Sequence, residues 1–141
     1  MTTLWLDLET YSTIPIKHGA QKYAEAVEVL LVALAVGDEP TQVWDTQDDP
    51  NWRSALQQHI DDADTVVIHN SAFDRTVLRW SGVNVPVSKV HDTMVQALAH
   101  SLPAALVEHV DPHLLERPAH ALDEQVHAEI VELRCDMRGH L

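Results

Sequence analysis

The chain has 141 residues, of which 9 are basic and 22 acidic, and its net charge of −13 argues against a general nucleic-acid coat protein, which would be basic. Its length suits one domain over residues 1–141 with a hydrophobic core of its own. The lone cysteine excludes an internal disulfide, and no signal-peptide pattern is present. The longest apolar run is too short to span a bilayer, since it extends only from Val29 to Val36. We therefore expect a cytoplasmic protein without membrane partners.

The first predicted element is a strand over residues 3–8. Apolar and polar residues alternate along it, so its leucines share one face, whereas Asp7 and Glu9 share the other. Two carboxylates at this spacing repel each other unless a positive charge lies between them. Hard oxygen ligands suit Mg²⁺ or Mn²⁺, so the pair predicts a divalent-metal site. The alternative is an edge strand with both acids in water.

The next elements follow in chain order. Strands are predicted over Val27 to Gly37 and over Thr41 to Trp44. The four-residue spacing of apolar side chains predicts a helix over Pro50 to Asp62, with Asp49 as its cap. A short β-branched run then predicts a buried strand over residues 65–69. The middle of the chain therefore predicts an α/β protein.

A predicted helix after this strand carries a third acid. Asn70 or Ser71 is a natural N-cap for it. Phe73, Val77 and Trp80 fall on one apolar stripe of the helix, and Asp74 lies beside that stripe in the first turns. Asp74 is therefore either a residue that interacts favourably with the helix dipole or a third metal ligand.

The last predicted elements are a short strand near residues 87–90 and a helix from Asp92 to about His100, with Asp92 as its N-cap. The four tryptophans are expected in the core rather than stacked on bases. The ten histidines are expected to be core or surface residues, because no cysteine partners lie at the spacing of a zinc site.

The two acid-bearing segments resemble a known family. Asp7-Leu8-Glu9-Thr10 and His69-Asn70-Ser71-Ala72-Phe73-Asp74 look like the first and second motifs of the DEDD 3′–5′ exonucleases. The likeness is closest to the proofreading exonuclease domain of phage and prophage DNA polymerases of the polymerase I (family A) type. Lys17 to Ala24 and His91 to Ala97 match as well, and the likeness is dense from about residue 3 to residue 106.

This resemblance implies an α/β fold in which an RNase H-like mixed sheet is flanked by helices. It also implies two bound ions, Mg²⁺ or Mn²⁺, held by four carboxylates that serve as the catalytic residues. Three of these carboxylates belong to Asp7, Glu9 and Asp74. By the same likeness, three further residues lie at the terminal nucleotide: Thr10 through its backbone, Asn70 by fixing the site, and Phe73 beside the base, although a core role for Phe73 is equally natural.

The expected fourth carboxylate is Asp136, on a predicted C-terminal helix. The family has a Tyr four residues before this acid or a His five residues before it. This chain has Glu132 and Val131 at those positions and so departs from the family pattern. Asp111 and Asp123 are the alternative candidates.

These expectations describe a metal-dependent 3′–5′ exonuclease that acts on single-stranded 3′ ends of DNA in a bacterial or phage-infected cell, with a polymerase domain or subunit as its partner. Two alternatives stay open. One is a non-catalytic remnant or interaction domain that keeps the fold, which the departures before Asp136 favour. The other is an RNase H-like nuclease that acts on RNA or on internal bonds.

Overall fold

A computed structural model describes residues 1–101 and residue 104. The chain divides into two units, Met1–Thr93 and a second unit that begins at Met94. Most of the second unit lies outside the described residues, so one domain over residues 1–141 stays a prediction. Within the described part of the chain, no helix is both long and apolar enough to cross a bilayer.

The protein is α/β, with a five-stranded mixed sheet in the order β3-β2-β1-β4-β5. The strands are β1 (Thr3–Ser12), β2 (Val27–Val36), β3 (Gln42–Asp45), β4 (Thr65–Ile68) and β5 (Val90–Asp92). β1 pairs antiparallel with β2 on one side and parallel with β4 on the other. The strand that carries Asp7 and Glu9 is therefore the central one, and the edge-strand alternative is wrong.

Four helices are described: α1 (Ala20–Ala24), α2 (Trp52–Asp62), α3 (Ser71–Trp80) and α4 (Thr93–Ala99). The sequence analysis did not predict α1. Asp49 was expected to cap α2, but it does not. Its carboxylate instead accepts a hydrogen bond from the amide of Asn51 at 2.7 Å and so closes a local turn. The strand predicted near residues 87–90 begins only at Val90, because Pro86 starts a 3₁₀ turn over Val87–Lys89.

The core lies on the leucine face of β1. The three leucines of this strand and the aligned residues of β4 are almost completely buried, as the alternation predicted: Leu4, Leu6, Leu8, Val66 and Ile68. Side chains from α2 and α3 complete the same cluster, among them Leu56, Val77 and Leu78. Both helices therefore pack on the leucine face, which leaves Asp7 and Glu9 on the opposite face.

Trp80 is not a core residue, contrary to expectation. Its side chain is 52% exposed at the last position of α3. Val77 of the predicted stripe is buried, and the buried face of the helix also includes Asp74 and Leu78. Trp80 lines a pocket of about 310 Å³, together with the start of β2 and the first residues of α2. No residue of this pocket belongs to the predicted site.

Candidate functional site

Asp7 and Glu9 are half-buried on the central strand. Asp7 lies opposite Ala33 of β2, so the neighbouring side chain on that strand is only a methyl group. The register between the two strands shifts after Glu9, and this β-bulge makes Leu30 an extra residue on β2. Bulges bend a strand and are frequent beside active sites. The sequence analysis did not predict this bulge.

The register between β1 and β4 brings the second motif close to the first. Trp5 pairs with Val67 in this parallel ladder. Continuing the ladder by two residues places Asp7 level with His69, immediately before the turn into α3. Asp74 follows in the first turn of α3 and is only 5% exposed. The second motif therefore begins beside the strand that carries Asp7 and Glu9, although α3 packs on the leucine face of that strand.

The carboxylate oxygens of these three acids are the ligands that Mg²⁺ and Mn²⁺ prefer. Among residues 1–101 and 104, however, no three His, Cys, Asp or Glu side chains form a group that could hold a metal ion. Asp136, the expected fourth ligand, lies outside the described residues, as do Asp111 and Asp123. The chemistry of the donors fits such an ion, and the shared metal site stays a prediction.

Asp92 serves the N-terminus of α3. Asn70 occupies the N-cap position, as predicted, but its side chain makes no capping hydrogen bond to the helix. The Asp92 carboxylate accepts hydrogen bonds from the Ser71 amide at 2.8 Å, the Ser71 hydroxyl at 2.7 Å and the Asn70 amide at 3.2 Å. A negative charge at this end of a helix is favourable. Asp92 thus ties the end of β5 to the segment that carries Asp74.

A second contact supports the same junction. His69 Nδ1 lies 3.0 Å from the hydroxyl oxygen of Thr93, which is buried. His69 lies between the end of β4 and the start of α3, and Thr93 directly follows Asp92. Together, these contacts attach the turn before α3 to the end of β5.

We expect Asp92→Ala to lower the free energy of unfolding by about 1.5–3 kcal/mol, because it removes a charged acceptor and leaves the Ser71 amide unpaired. Urea denaturation measures this loss. Asp48→Ala is the matched control, since Asp48 is exposed in the turn after β3 and should change stability by less than about 0.5 kcal/mol. Equal stability of the two variants would contradict the capping role of Asp92.

Asn70 adopts a left-handed backbone conformation, with φ 60° and ψ 51°. Asn tolerates this region better than most residues, and only Gly adopts it freely. Asn70→Ala should therefore lower the free energy of unfolding by about 1 kcal/mol, whereas Asn70→Gly should leave it nearly unchanged. Urea denaturation of both variants tests this. If Gly destabilises the protein as much as Ala does, the side chain of Asn70 rather than its backbone conformation is what matters.

Thr10 and Phe73, both predicted to lie at the terminal nucleotide, are joined by one residue that the sequence analysis did not single out. The Thr10 hydroxyl lies 3.0 Å from the hydroxyl of Tyr23 in α1. The ring of Tyr23 lies 5.6 Å from that of Phe73, centroid to centroid. Because the Thr10 side chain is engaged in this way, a role through its backbone fits the structure. The only signal for Tyr23 in the sequence was its place in the matching segment Lys17 to Ala24.

No protein-family model matches the chain, and no curated protein matches it significantly.

Proposed function

We propose that this chain is a DEDD-type 3′–5′ exonuclease domain with an RNase H-like fold, acting on single-stranded 3′ ends of DNA as the proofreading domain of a phage-type DNA polymerase. One observation carries the proposal: two carboxylates, Asp7 and Glu9, lie half-buried on one face of the central strand, beside a β-bulge. The strand order, with β1 central between an antiparallel and a parallel half, supports the RNase H-like fold.

The residues of the proposed site have separate tasks. Asp7 and Glu9 on β1 would hold Mg²⁺ or Mn²⁺ with Asp74 of α3 and with Asp136. Two such ions would supply an activated water and charge stabilisation at the leaving oxygen. The backbone of Thr10, the turn at Asn70 and the ring of Phe73 would bind and orient the last nucleotide.

The charge of the chain limits how it can hold a nucleic acid. At −13, it repels a phosphate backbone at a distance. Bound metal ions offset this locally, and an attached polymerase domain or subunit would supply most of the grip. Binding of DNA should therefore be weak when the metal is chelated.

A second candidate function is a non-catalytic remnant or interaction domain. Val131 and Glu132 favour it, because they stand where the family has His or Tyr before the fourth acid. Losing a general acid–base group typically costs on the order of 10²–10⁴-fold in rate. An active chain of this kind should therefore be slow.

The test is digestion of a single-stranded DNA labelled at its 5′ end, with Mg²⁺, Mn²⁺ or EDTA. A 3′–5′ exonuclease shortens the strand stepwise, only with metal, and spares a strand whose 3′ end is blocked. A matched RNA strand distinguishes an RNase. Internal cuts in the blocked strand indicate an endonuclease, and intact strands under all conditions leave the remnant as the function.

A further inference from the structure

Tyr23 contacts three places around the end of β1. Its hydroxyl meets that of Thr10, and its ring meets that of Phe73 at a tilt of 50°. Its backbone oxygen accepts a hydrogen bond from the Ser12 hydroxyl at 2.8 Å, and the same hydroxyl oxygen accepts one from the amide of Ile14 at 3.1 Å. Tyr23 is thus attached to β1 by both its backbone and its side chain.

The contacts of Tyr23 lie next to the β-bulge. At a bulge the ladder is locally disrupted, so the sheet alone holds the following residue less firmly. Thr10 is the first residue after the shift in register. The Tyr23 hydroxyl therefore restrains Thr10 from the side at the point where the register of the ladder shifts. The distance and tilt between its ring and that of Phe73 lie in the favourable range for aromatic pairs, which extends the restraint to α3.

The short helix α1 can restrain Thr10 and Phe73 only because the same contacts fix the helix in place. It has five residues, and helices this short are not stable alone. The side chain and the backbone carbonyl of Tyr23 bind it to β1 and α3. A change on β1 at Thr10 should therefore be transmitted to Phe73 through Tyr23.

We propose that Tyr23 is a positioning residue that couples the end of β1 to the start of α3 and so sets the separation of Thr10 and Phe73, the two residues proposed to contact the terminal nucleotide. The role in nucleotide binding rests on the proposed function. The coupling of Thr10 to Phe73 does not.

Phe73 is the only phenylalanine of the chain, so 4-fluorophenylalanine gives a single ¹⁹F signal that reports on its ring. Thr10→Val removes the hydroxyl that meets Tyr23 while leaving Phe73 untouched, and it should shift this signal. Thr13→Val is the matched control, since Thr13 is exposed just after β1, and it should leave the signal in place. An unchanged signal in Thr10→Val overturns the coupling.

The functional arm uses Tyr23→Phe, which keeps the ring and removes the hydroxyl. In the exonuclease assay, KM for the oligonucleotide should rise about fivefold, as the loss of one hydrogen bond predicts, with a smaller change in kcat. The control is Tyr11→Phe, because Tyr11 is the only other tyrosine and is 56% exposed. With an active wild type, equal KM values for the two variants overturn the role in nucleotide binding. An inactive wild type would contradict the proposed function. The ¹⁹F signal alone then tests whether Tyr23 couples Thr10 to Phe73.

Discussion

Replacing Asp7 by Asn should reduce the rate of metal-dependent 3′-end digestion by on the order of 10²–10³-fold, while the protein stays folded. An ion that stabilises a developing charge contributes several kcal/mol to the transition state, and each 1.36 kcal/mol corresponds to about tenfold in rate. Asn keeps the size of the side chain and removes its charge, so the side chain at position 7 would bind the ion much more weakly. Initial rates with Mg²⁺ and Mn²⁺ measure the effect.

Asp48→Asn is the control for this experiment, because it makes the same chemical change at an exposed position after β3. Its rate should equal that of the wild type. Thermal unfolding of both variants verifies that each is folded. If Asp7→Asn retains the wild-type rate, the acid pair on β1 is not the catalytic site and the proposed function is wrong.

The largest expected loss of stability follows from Leu4→Ala. Leu4 is 1% exposed on the central strand and lies between Val36 of β2 and Val66 of β4. Truncation of a buried leucine removes apolar contacts and leaves a cavity, which together cost about 2–5 kcal/mol. Urea denaturation should show this decrease in the free energy of unfolding.

Leu98→Ala makes the same change on α4, where the side chain is 53% exposed. Its effect should stay within about 0.5 kcal/mol. A comparison of the two variants thus tests the central position of β1 without altering the candidate site. Equal losses in the two variants would be incompatible with burial of the leucine face.

The candidate site was predictable in part. Asp7, Glu9 and Asp74 were recognised because short motifs carry them, and the alternation along β1 correctly placed its two acids on the face opposite the leucines. Tyr23 was not singled out, and Asp92 was predicted to cap the helix that follows it rather than α3. Tyr23 meets Thr10 across 13 residues of sequence, and Asp92 meets Ser71 across 21. No local pattern links residues that far apart.

Trp80 shows the same limit within one helix. The helical period correctly predicted α3, yet it also put Trp80 on the buried stripe. Val77 of that stripe is buried as predicted, and Asp74 and Leu78 are buried with it, whereas Trp80 is 52% exposed at the end of the helix. The spacing of apolar residues predicts that a helix has a buried face. Where the neighbouring strands lie decides which residues fill that face.

The sequence by itself determined the alternation of β1, the helices α2 and α3, and the types of residue at the candidate site, because the two- and 3.6-residue periods are properties of local backbone geometry. Only the tertiary structure decided which strands flank β1, that a bulge follows Glu9, and that Asp92 caps α3. These features depend on the order and register of the strands. Packing between distant segments sets both, so they follow from the whole chain rather than from any stretch of it.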